Sequence, residues 1–237
     1  MDKTFLNTGL DRSIPHIGVL MEKTDTREYP RHGLPAGYVF SCYRPGFEKQ
    51  WASLQYEVGQ CDSIEEAEGI FKGTFMAPPG LRPPPSQAKG ALPEEEALAK
   101  KTIFVFDEEH NLVGTGAIWD GNHFGMTLQR LHWIAVAPKH QGQGIAKAIV
   151  SRLLDLYNGL GYDGYIYLTS QTWSWRALKL YMGFGFRPYM GERPVNWRCE
   201  DFEEETAEAW GMIGGKIGID LRTGGMGGDA LPYVSTE

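Results

Sequence analysis

The 237-residue sequence predicts an α/β fold, and three neighbouring stretches carry that prediction. Residues 128–136 form an apolar, strand-like run, and residues 145–160 repeat apolar side chains at helical spacing after a loop that contains two glycines. A second strand-like run follows at residues 165–170. Because two strands joined through one helix lie parallel in the same sheet, the sequence predicts a parallel strand pair covered by a helix.

The residues before this unit predict further strands and helices. Strand-like patterns occupy residues 14–21, 37–43, 102–106 and 112–119, and a hairpin turn at residues 109–111 joins the last two. Helical patterns occupy residues 47–58, 64–75 and 94–101, with Asp62 or Ser63 as the N-cap of the second helix. Residues 76–93 contain six prolines, which predicts an exposed loop. Residues 1–36 are predicted to form an N-terminal extension with one extra strand, followed by a domain at residues 37–199.

The C-terminal third predicts one more helix, two strands and a tail. Ser174 is the predicted N-cap of a helix on which Ala177, Leu178 and Tyr181 share one face. Residues 186–190 and 195–199 are predicted to be a last pair of strands. Residues 200–237 are predicted to hold an acidic helix and then a glycine-rich tail.

Charge and cysteine content exclude several classes of protein. The sequence has 23 basic and 30 acidic residues, for a net charge of -7, and no basic block, so nucleic acid is not expected as a partner. Cys42, Cys61 and Cys199 lie far apart without metal-ligand or disulfide spacing, which predicts free thiols and no metal. The sequence shows neither a signal-peptide core nor an apolar run that crosses a bilayer. We therefore expect a cytoplasmic protein with no membrane partner.

The loop between the strand and the helix, at residues 137–144, is predicted to bind an anion. The first N–H groups of a helix have no intrahelical partners and lie at the positive end of its dipole, and glycines let a phosphate approach them. The loop lacks the Gly-Lys-Ser/Thr ending of a P-loop. It also lacks the dinucleotide-binding fingerprint, because Lys147 occupies the third glycine position.

Two motifs resemble blocks of the GNAT superfamily of acyl-CoA-dependent N-acyltransferases. Residues 141–146 read Gln-x-x-Gly-x-Ala, which is similar to the pyrophosphate loop of that family, Gln/Arg-x-x-Gly-x-Gly/Ala. Residues 174–186 read Ser-x-x-Ala-x-x-x-Tyr-x-x-x-Gly-Phe, which is similar to a second family block with serine in place of asparagine. The resemblance covers roughly residues 38–199.

The resemblance implies a fold, a co-substrate and a set of binding residues. The fold is a mixed, mostly antiparallel twisted sheet, splayed at a parallel strand pair and covered by helices on both faces. The co-substrate is acetyl-CoA, with its pantetheine arm along the strand and its diphosphate on the loop. The residues implied to bind it are Ile134, Ala135, Val136, Gln141, Gly142, Gln143, Gly144, Ile145, Ala146 and Ser174.

Two residues are candidates for proton transfer. Tyr181 matches the family tyrosine that protonates the departing thiolate, whereas helical spacing alone would make it a core aromatic. His132 lies in Leu-His-Trp-Ile-Ala-Val, which resembles the Leu-His-x-Leu-Ala-Val of arylalkylamine N-acetyltransferases, where the histidine helps to deprotonate the amine. A histidine on a strand is more often a hydrogen-bonded structural residue, so both roles of His132 stay open.

The function that the resemblance implies is transfer of an acetyl group from acetyl-CoA to a primary amine by direct attack. A small-molecule amine is the first expectation for the acceptor, with a peptide N-terminus as the alternative and a homodimer as a compatible assembly. The alternative from another class is an acyl-CoA-binding sensor or interaction module without catalysis.

Overall fold

The computed structural model describes residues 9–76 and 94–221 of the chain. Most of the predicted proline-rich loop, residues 77–93, lies outside the described residues, as does the predicted glycine-rich tail after residue 221. The candidate site is described from these residues.

Seven strands of the described residues form one sheet. They are β1 (Gly18–Lys23), β2 (Val39–Ser41), β3 (Thr102–Phe106), β4 (Leu112–Gly121), β5 (Leu128–Val136), β6 (Ile166–Gln171) and β7 (Arg187–Pro188). Their order across the sheet is β2-β3-β4-β5-β6-β1-β7. Neighbouring strands are antiparallel except β5 and β6, which run parallel. The predicted mixed, mostly antiparallel sheet with one parallel pair is confirmed.

Six α-helices cover both faces of this sheet in the described ranges. They are α1 (Phe47–Glu57), α2 (Ile64–Phe75), α3 (Glu94–Lys101), α4 (Ile145–Gly159), α5 (Trp175–Met182) and α6 (Phe202–Ile217). Helix α4 packs on the face of Gly114 and Gly116, where an added Cβ would meet Ile149 at 3.0 and 2.9 Å, respectively. Helix α2 lies on the opposite face, where Phe75 packs edge-on against Trp119 with ring centroids 4.8 Å apart. The prediction of helices on both faces is therefore confirmed.

Strand β1 joins the N-terminal residues to the interior of the sheet. It pairs with β6 along its whole length, from Gly18 opposite Gln171 to Lys23 opposite Ile166, and with β7 on its other side. Residues 1–36 thus contribute a strand that lies between two strands of the following domain. The boundary predicted at residue 36 separates segments that share one sheet.

The predicted strand at residues 195–199 is wrong. These residues form a turn and an irregular segment, and the strand predicted at residues 186–190 is reduced to Arg187–Pro188. Proline has no N–H to donate to a ladder, so Pro188 and Pro194 both limit strand pairing here. Trp197 instead packs against Phe202 at the start of α6, with ring centroids 6.3 Å apart.

Side-chain caps define the starts of two helices. The Ser63 hydroxyl accepts a hydrogen bond from the Glu66 N–H at 3.1 Å, which identifies Ser63 as the N-cap of α2. The Asp201 carboxylate accepts one from the Glu204 N–H at 3.0 Å and caps α6. Each cap satisfies an N–H group that the helix itself leaves without a partner.

Replacing Asp201 by alanine should lower the free energy of unfolding by about 1 kcal/mol, because one N–H of α6 loses its acceptor. Urea unfolding followed by circular dichroism measures this change. The matched variant Asp201→Asn should retain most of the stability, since asparagine caps about as well as aspartate. Equal midpoints for the alanine variant and the parent would contradict a capping role.

The described residues also bear on the predicted environment of the chain. None of their helices combines the length and the apolar content needed to cross a bilayer. Cys42 is exposed, Cys61 is buried and Cys199 is half-buried, and neither Cys42 nor Cys199 forms a disulfide within the described residues.

Candidate functional site

The site begins at a β-bulge in β5. Thr115 of β4 lies opposite Ala135, but Ala117 lies opposite His132, so Gly116 faces two residues of β5. One of these two, Trp133, has a φ of 50°, which is rare for a residue with a side chain. A bulge of this kind bends the strand and increases its local twist.

The bulge separates β5 from its parallel neighbour β6. The two strands pair only at Arg130 with Tyr167 and at Leu131 with Leu168. Beyond Leu131 the ladder stops, whereas β5 continues to Val136 and remains paired with β4. The β6-facing edge of the last part of β5 is therefore open to a ligand that pairs with backbone groups.

The loop after β5 presents the start of α4 to this opening. A short 3-10 helix (Pro138–His140) ends the strand, and Gly144 is the N-cap of α4 with a φ of 92° and no side-chain cap. Gly142 has a φ of 77°. A Cβ added at Gly142 or Gly144 would meet no atom of the described residues within 4 Å, so open space lies against the uncapped N–H groups. Such a helix start attracts anions.

Side-chain hydrogen bonds hold this loop in place. The Gln141 Nε2 donates to the Val136 carbonyl at 3.0 Å and ties the loop back to the end of β5. The Tyr38 hydroxyl donates to Gln143 Oε1 and also lies 2.9 Å from His140 Nδ1. Tyr38 precedes β2, so its contact with the loop could not be found from residues 137–146 themselves.

One cavity of about 620 Å³ joins the loop, the open edge of β5 and helix α5. The ten residues predicted to bind acetyl-CoA line it, as does Tyr181; the ten are Ile134, Ala135, Val136, Gln141, Gly142, Gln143, Gly144, Ile145, Ala146 and Ser174. The tertiary structure thus brings two motifs that lie about 30 residues apart in the chain to opposite walls of one space.

Ser174 lies at the N-terminal boundary of α5 but does not cap it. Its hydroxyl accepts a hydrogen bond from Gln171 Nε2 at 3.0 Å, and no side-chain cap is present at this helix start. Ser174 is buried and lines the cavity. The capping interaction predicted from the sequence is therefore wrong, although the position of the helix start is right.

Tyr181 contributes to the cavity wall from the last turn of α5. Its side chain is buried, and its hydroxyl makes no hydrogen bond with the described residues. Burial raises the pKa of the Tyr181 phenol above its ordinary value of 10.0. The phenol therefore stays protonated at neutral pH, which suits a proton donor and not a base.

His132 lies on β5 just before the bulge and is not among the described residues that line the cavity. Its Nε2 is 3.2 Å from Nη2 of Arg130. Because a guanidinium only donates, Nε2 is the unprotonated nitrogen in this contact. Burial, and then the positive charge of Arg130, lower the pKa of His132 well below 6.5, so this imidazole is neutral at physiological pH.

The N-terminal segment at residues 9–17 forms part of the site that sequence patterns missed. Gly9 and Leu10 line the cavity. The segment is held against the start of α5, since the Trp173 Nε1 donates to the Ile14 carbonyl at 2.8 Å and the Trp175 Nε1 donates to Asp11 at 3.0 Å. Residues 9–13 show no periodic pattern, and the strand pattern at residues 14–21 gave no indication of a contact with the site.

Two cations at the cavity were also missed. Lys147 lies in the first turn of α4, and Arg176 lies in the first turn of α5 with its guanidinium 4.3 Å from the centroid of the Trp175 ring. Both side chains are exposed. Their charge favours an anionic ligand at this end of the cavity. Within residues 9–76 and 94–221, no group of three His, Cys, Asp or Glu side chains is placed to hold a metal ion.

Comparison with known proteins identifies the domain that carries this site. Residues 99–188 match the family model described as acetyltransferase (GNAT) domain. Rat N-acetyltransferase 8B is 43% identical over 60 residues, which are 25% of this chain and 26% of that protein. Among solved structures, a GCN5-related N-acetyltransferase from Sphaerobacter thermophilus aligns with a TM-score of 0.52 at 15% identity, over 73% of this chain and 49% of that one.

A second solved structure agrees. A GNAT-family acetyltransferase from Colwellia psychrerythraea aligns with a TM-score of 0.51 at 12% identity, over 74% of this chain and 55% of that one. The chain therefore spans about half of these two solved structures and about a quarter of the rat protein. At such identities the two solved structures support the fold alone. The family model covers residues 99–188, which contain both motifs. Residues 99–188 of this chain thus match an acetyltransferase (GNAT) domain, and the sheet to which they belong has the fold of GNAT acetyltransferases.

Proposed function

We propose that the chain transfers an acyl group, acetyl first of all, from a coenzyme A thioester to a primary amine. The observation that carries the proposal is the single cavity in which an uncapped helix start, an open strand edge and the Tyr181 phenol come together. A diphosphate, an amide-containing arm and a departing sulfur are the three parts of an acyl-CoA that these three features fit.

The fit to acetyl-CoA is supported by the space and the charge at the loop. The open volume at Gly142 and Gly144 leaves room for phosphate oxygens beside the N–H groups of α4. Lys147 and Arg176 add positive charge at the same end of the cavity. The backbone of Ile134, Ala135 and Val136 offers strand-like pairing to the pantetheine amides, because β6 does not occupy that edge.

The proposed reaction is a direct attack without an acyl-enzyme. An alkylammonium first loses one proton to His132, and the free amine then forms the new N–C bond while the C–S bond breaks. The sulfur takes its proton from the Tyr181 hydroxyl, which regains one from the acylated nitrogen. One proton is released overall, and each of the two side chains returns to its starting state.

Replacing His132 by alanine should lower turnover and remove a limb of the pH profile. His132 accepts a proton only when neutral, so kcat/KM falls as the pH drops through the pKa of His132 in the free protein, and the lowered pKa puts that fall below pH 6.5 in the parent. The expected loss of rate on the plateau is on the order of 10²-fold. Steady-state rates from pH 5 to 9 with one acceptor measure both effects.

The control for this variant is His110→Asn, which changes a histidine in the turn between β3 and β4 at a φ of 62° that asparagine tolerates. It should leave the profile unchanged. An alanine variant of His132 with the parent's acid limb would place the base elsewhere.

A thiol-release screen tests the function itself. Purified protein and acetyl-CoA are mixed with polyamines, arylalkylamines, aminoglycosides, amino acids and short peptides, and free coenzyme A is measured with a thiol reagent. Amine-dependent release supports the proposal. Calorimetric binding of acetyl-CoA without release for any acceptor would favour the alternative, a non-catalytic acyl-CoA-binding module.

A further inference from the structure

Arg130 lacks the acidic partner that two other partly or fully buried cations of the described residues have. Lys101 contacts Asp120 at 3.1 Å and Arg187 contacts Glu22 at 3.2 Å, and the buried Lys23 donates to the Glu28 carbonyl at 2.8 Å. Arg130 forms no ion pair with any residue in the described ranges; its Nη2 contacts His132, and its Nε is buried without a hydrogen-bond partner. A buried guanidinium nitrogen without an acceptor is costly, so a partner for it is expected.

The neighbouring polar groups of the described residues do not serve as an ion-pair or hydrogen-bond partner for the Arg130 Nε. Asp120 is the acidic residue whose charge acts on Arg130, but its Oδ1 already accepts hydrogen bonds from Lys101 and Gln129. Tyr167, opposite Arg130 on β6, directs its hydroxyl to His123 Nδ1 at 2.9 Å. The described residues thus hold this cation in place without supplying a counter-ion to it.

The position of Arg130 relates it to the proposed reaction. Arg130 lies opposite Trp119 and His132 lies opposite Ala117, so both side chains project from the sheet face that α2 covers. The two side chains touch, with 3.2 Å between Arg130 Nη2 and His132 Nε2. A ligand group on Arg130 is therefore adjacent to the nitrogen proposed to accept the amine proton.

We propose that Arg130 binds a carboxylate of the acceptor, and that the acceptors are α-amino carboxylates. A guanidinium presents two parallel N–H groups that match the two oxygens of a carboxylate. In an α-amino carboxylate a single carbon separates the carboxylate from the amine, so binding at Arg130 brings the amine beside His132. This inference deepens the proposed function and rests on it.

Binding at Arg130 also prepares His132. A carboxylate that takes Nη2 of Arg130 frees His132 Nε2 from the hydrogen bond that now occupies it. It also neutralises the positive charge that contributes to the lowered pKa of His132. The imidazole then becomes both available and more basic when an acceptor of the right class is bound.

The test compares acceptors that differ only in the carboxylate. L-Phenylalanine, L-phenylalaninamide and 2-phenylethylamine form one such set, and the same acid and amide pairs are measured for a polar, an acidic and a small amino acid. In the parent protein, kcat/KM should be about 10- to 100-fold higher for at least one acid than for its amide, the effect of a charge-assisted hydrogen-bond pair. Equal values for acid and amide throughout would overturn the inference.

Variants of Arg130 show whether this side chain produces the preference. Arg130→Gln should abolish the discrimination between acid and amide, mainly through KM; acid and amide are compared within each variant, because the substitution also removes a charge that lowers the pKa of His132. Arg130→Lys keeps the charge and should retain part of the preference. The control Arg27→Gln removes a guanidinium from an exposed ion pair with Asp163 and should behave like the parent. If Arg130→Gln still preferred the acid over the amide, Arg130 would not bind the carboxylate and would only position His132.

A binding measurement separates failure of this inference from failure of the proposed function. Calorimetry in the presence of coenzyme A compares N-acetyl-L-phenylalanine with its amide on the parent and on Arg130→Gln. Acid-selective binding that is lost in Arg130→Gln, together with no thiol release, would leave the carboxylate site in place and reject acyl transfer. Thiol release without acid selectivity in either experiment would leave acyl transfer in place and reject the carboxylate site.

Discussion

The variant Gly144→Val should bind acetyl-CoA at least about 100-fold more weakly than the parent, because it loses close access to several charge-assisted hydrogen-bond donors. Gly144 has a φ of 92°, a conformation that a β-branched residue rarely adopts. The new side chain would also occupy the open space against the first turn of α4, where phosphate oxygens are proposed to lie. Isothermal titration with acetyl-CoA measures the change in Kd.

Gly161 offers a matched control for that variant. It has a φ of 81° and open space at its Cβ, as Gly144 does, but it lies in the turn after α4 and away from the cavity. Gly161→Val should therefore show a similar loss of stability with unchanged affinity. If both variants bound acetyl-CoA equally well, the loop would not be the diphosphate site.

The variant Tyr181→Phe should lower kcat by a factor on the order of 10²–10⁴ and leave the affinity for acetyl-CoA nearly unchanged. The phenol is buried in the cavity wall, its raised pKa keeps it protonated, and its hydroxyl has no partner among the described residues. Phenylalanine keeps the ring, including its edge contact with Phe186, and removes only the proton donor. Single-turnover and steady-state rates of thiol release measure the effect.

Tyr157→Phe is the control for loss of a buried phenol. The Tyr157 hydroxyl donates to the backbone carbonyl of Tyr165 at 2.9 Å, so its removal should cost stability while kcat stays near that of the parent. A Tyr181→Phe variant that turns over as fast as the parent would remove Tyr181 from the mechanism. The departing thiolate would then take its proton from solvent.

Local sequence patterns were sufficient to predict most of the helices and strands and the glycine loop before α4. The helix that begins at Ile145, the Ser63 cap and the strand before residue 137 each depend on spacing and end signals within a dozen residues. The resemblance to the GNAT family added the residues that line the cavity, from Ile134 to Tyr181. Its glycines could be recognised because a backbone that approaches a ligand closely needs residues without a side chain. The strand predicted at residues 195–199 is absent from the structure. Trp197 packs against Phe202 and does not pair with a neighbouring strand.

What the sequence by itself determined was the α/β class, the order of the central elements and the chemistry of the glycine loop. Only the tertiary structure decided the place of β1 between β6 and β7, the bulge at Trp133 that opens the edge of β5, and the closure of the cavity by residues 9–10. The same holds for Arg130, because only the packing of the surrounding elements shows that no described residue supplies it with a counter-ion. These features depend on pairings between residues far apart in the chain, and a strand or a charge carries no local signal of which distant partner it will meet.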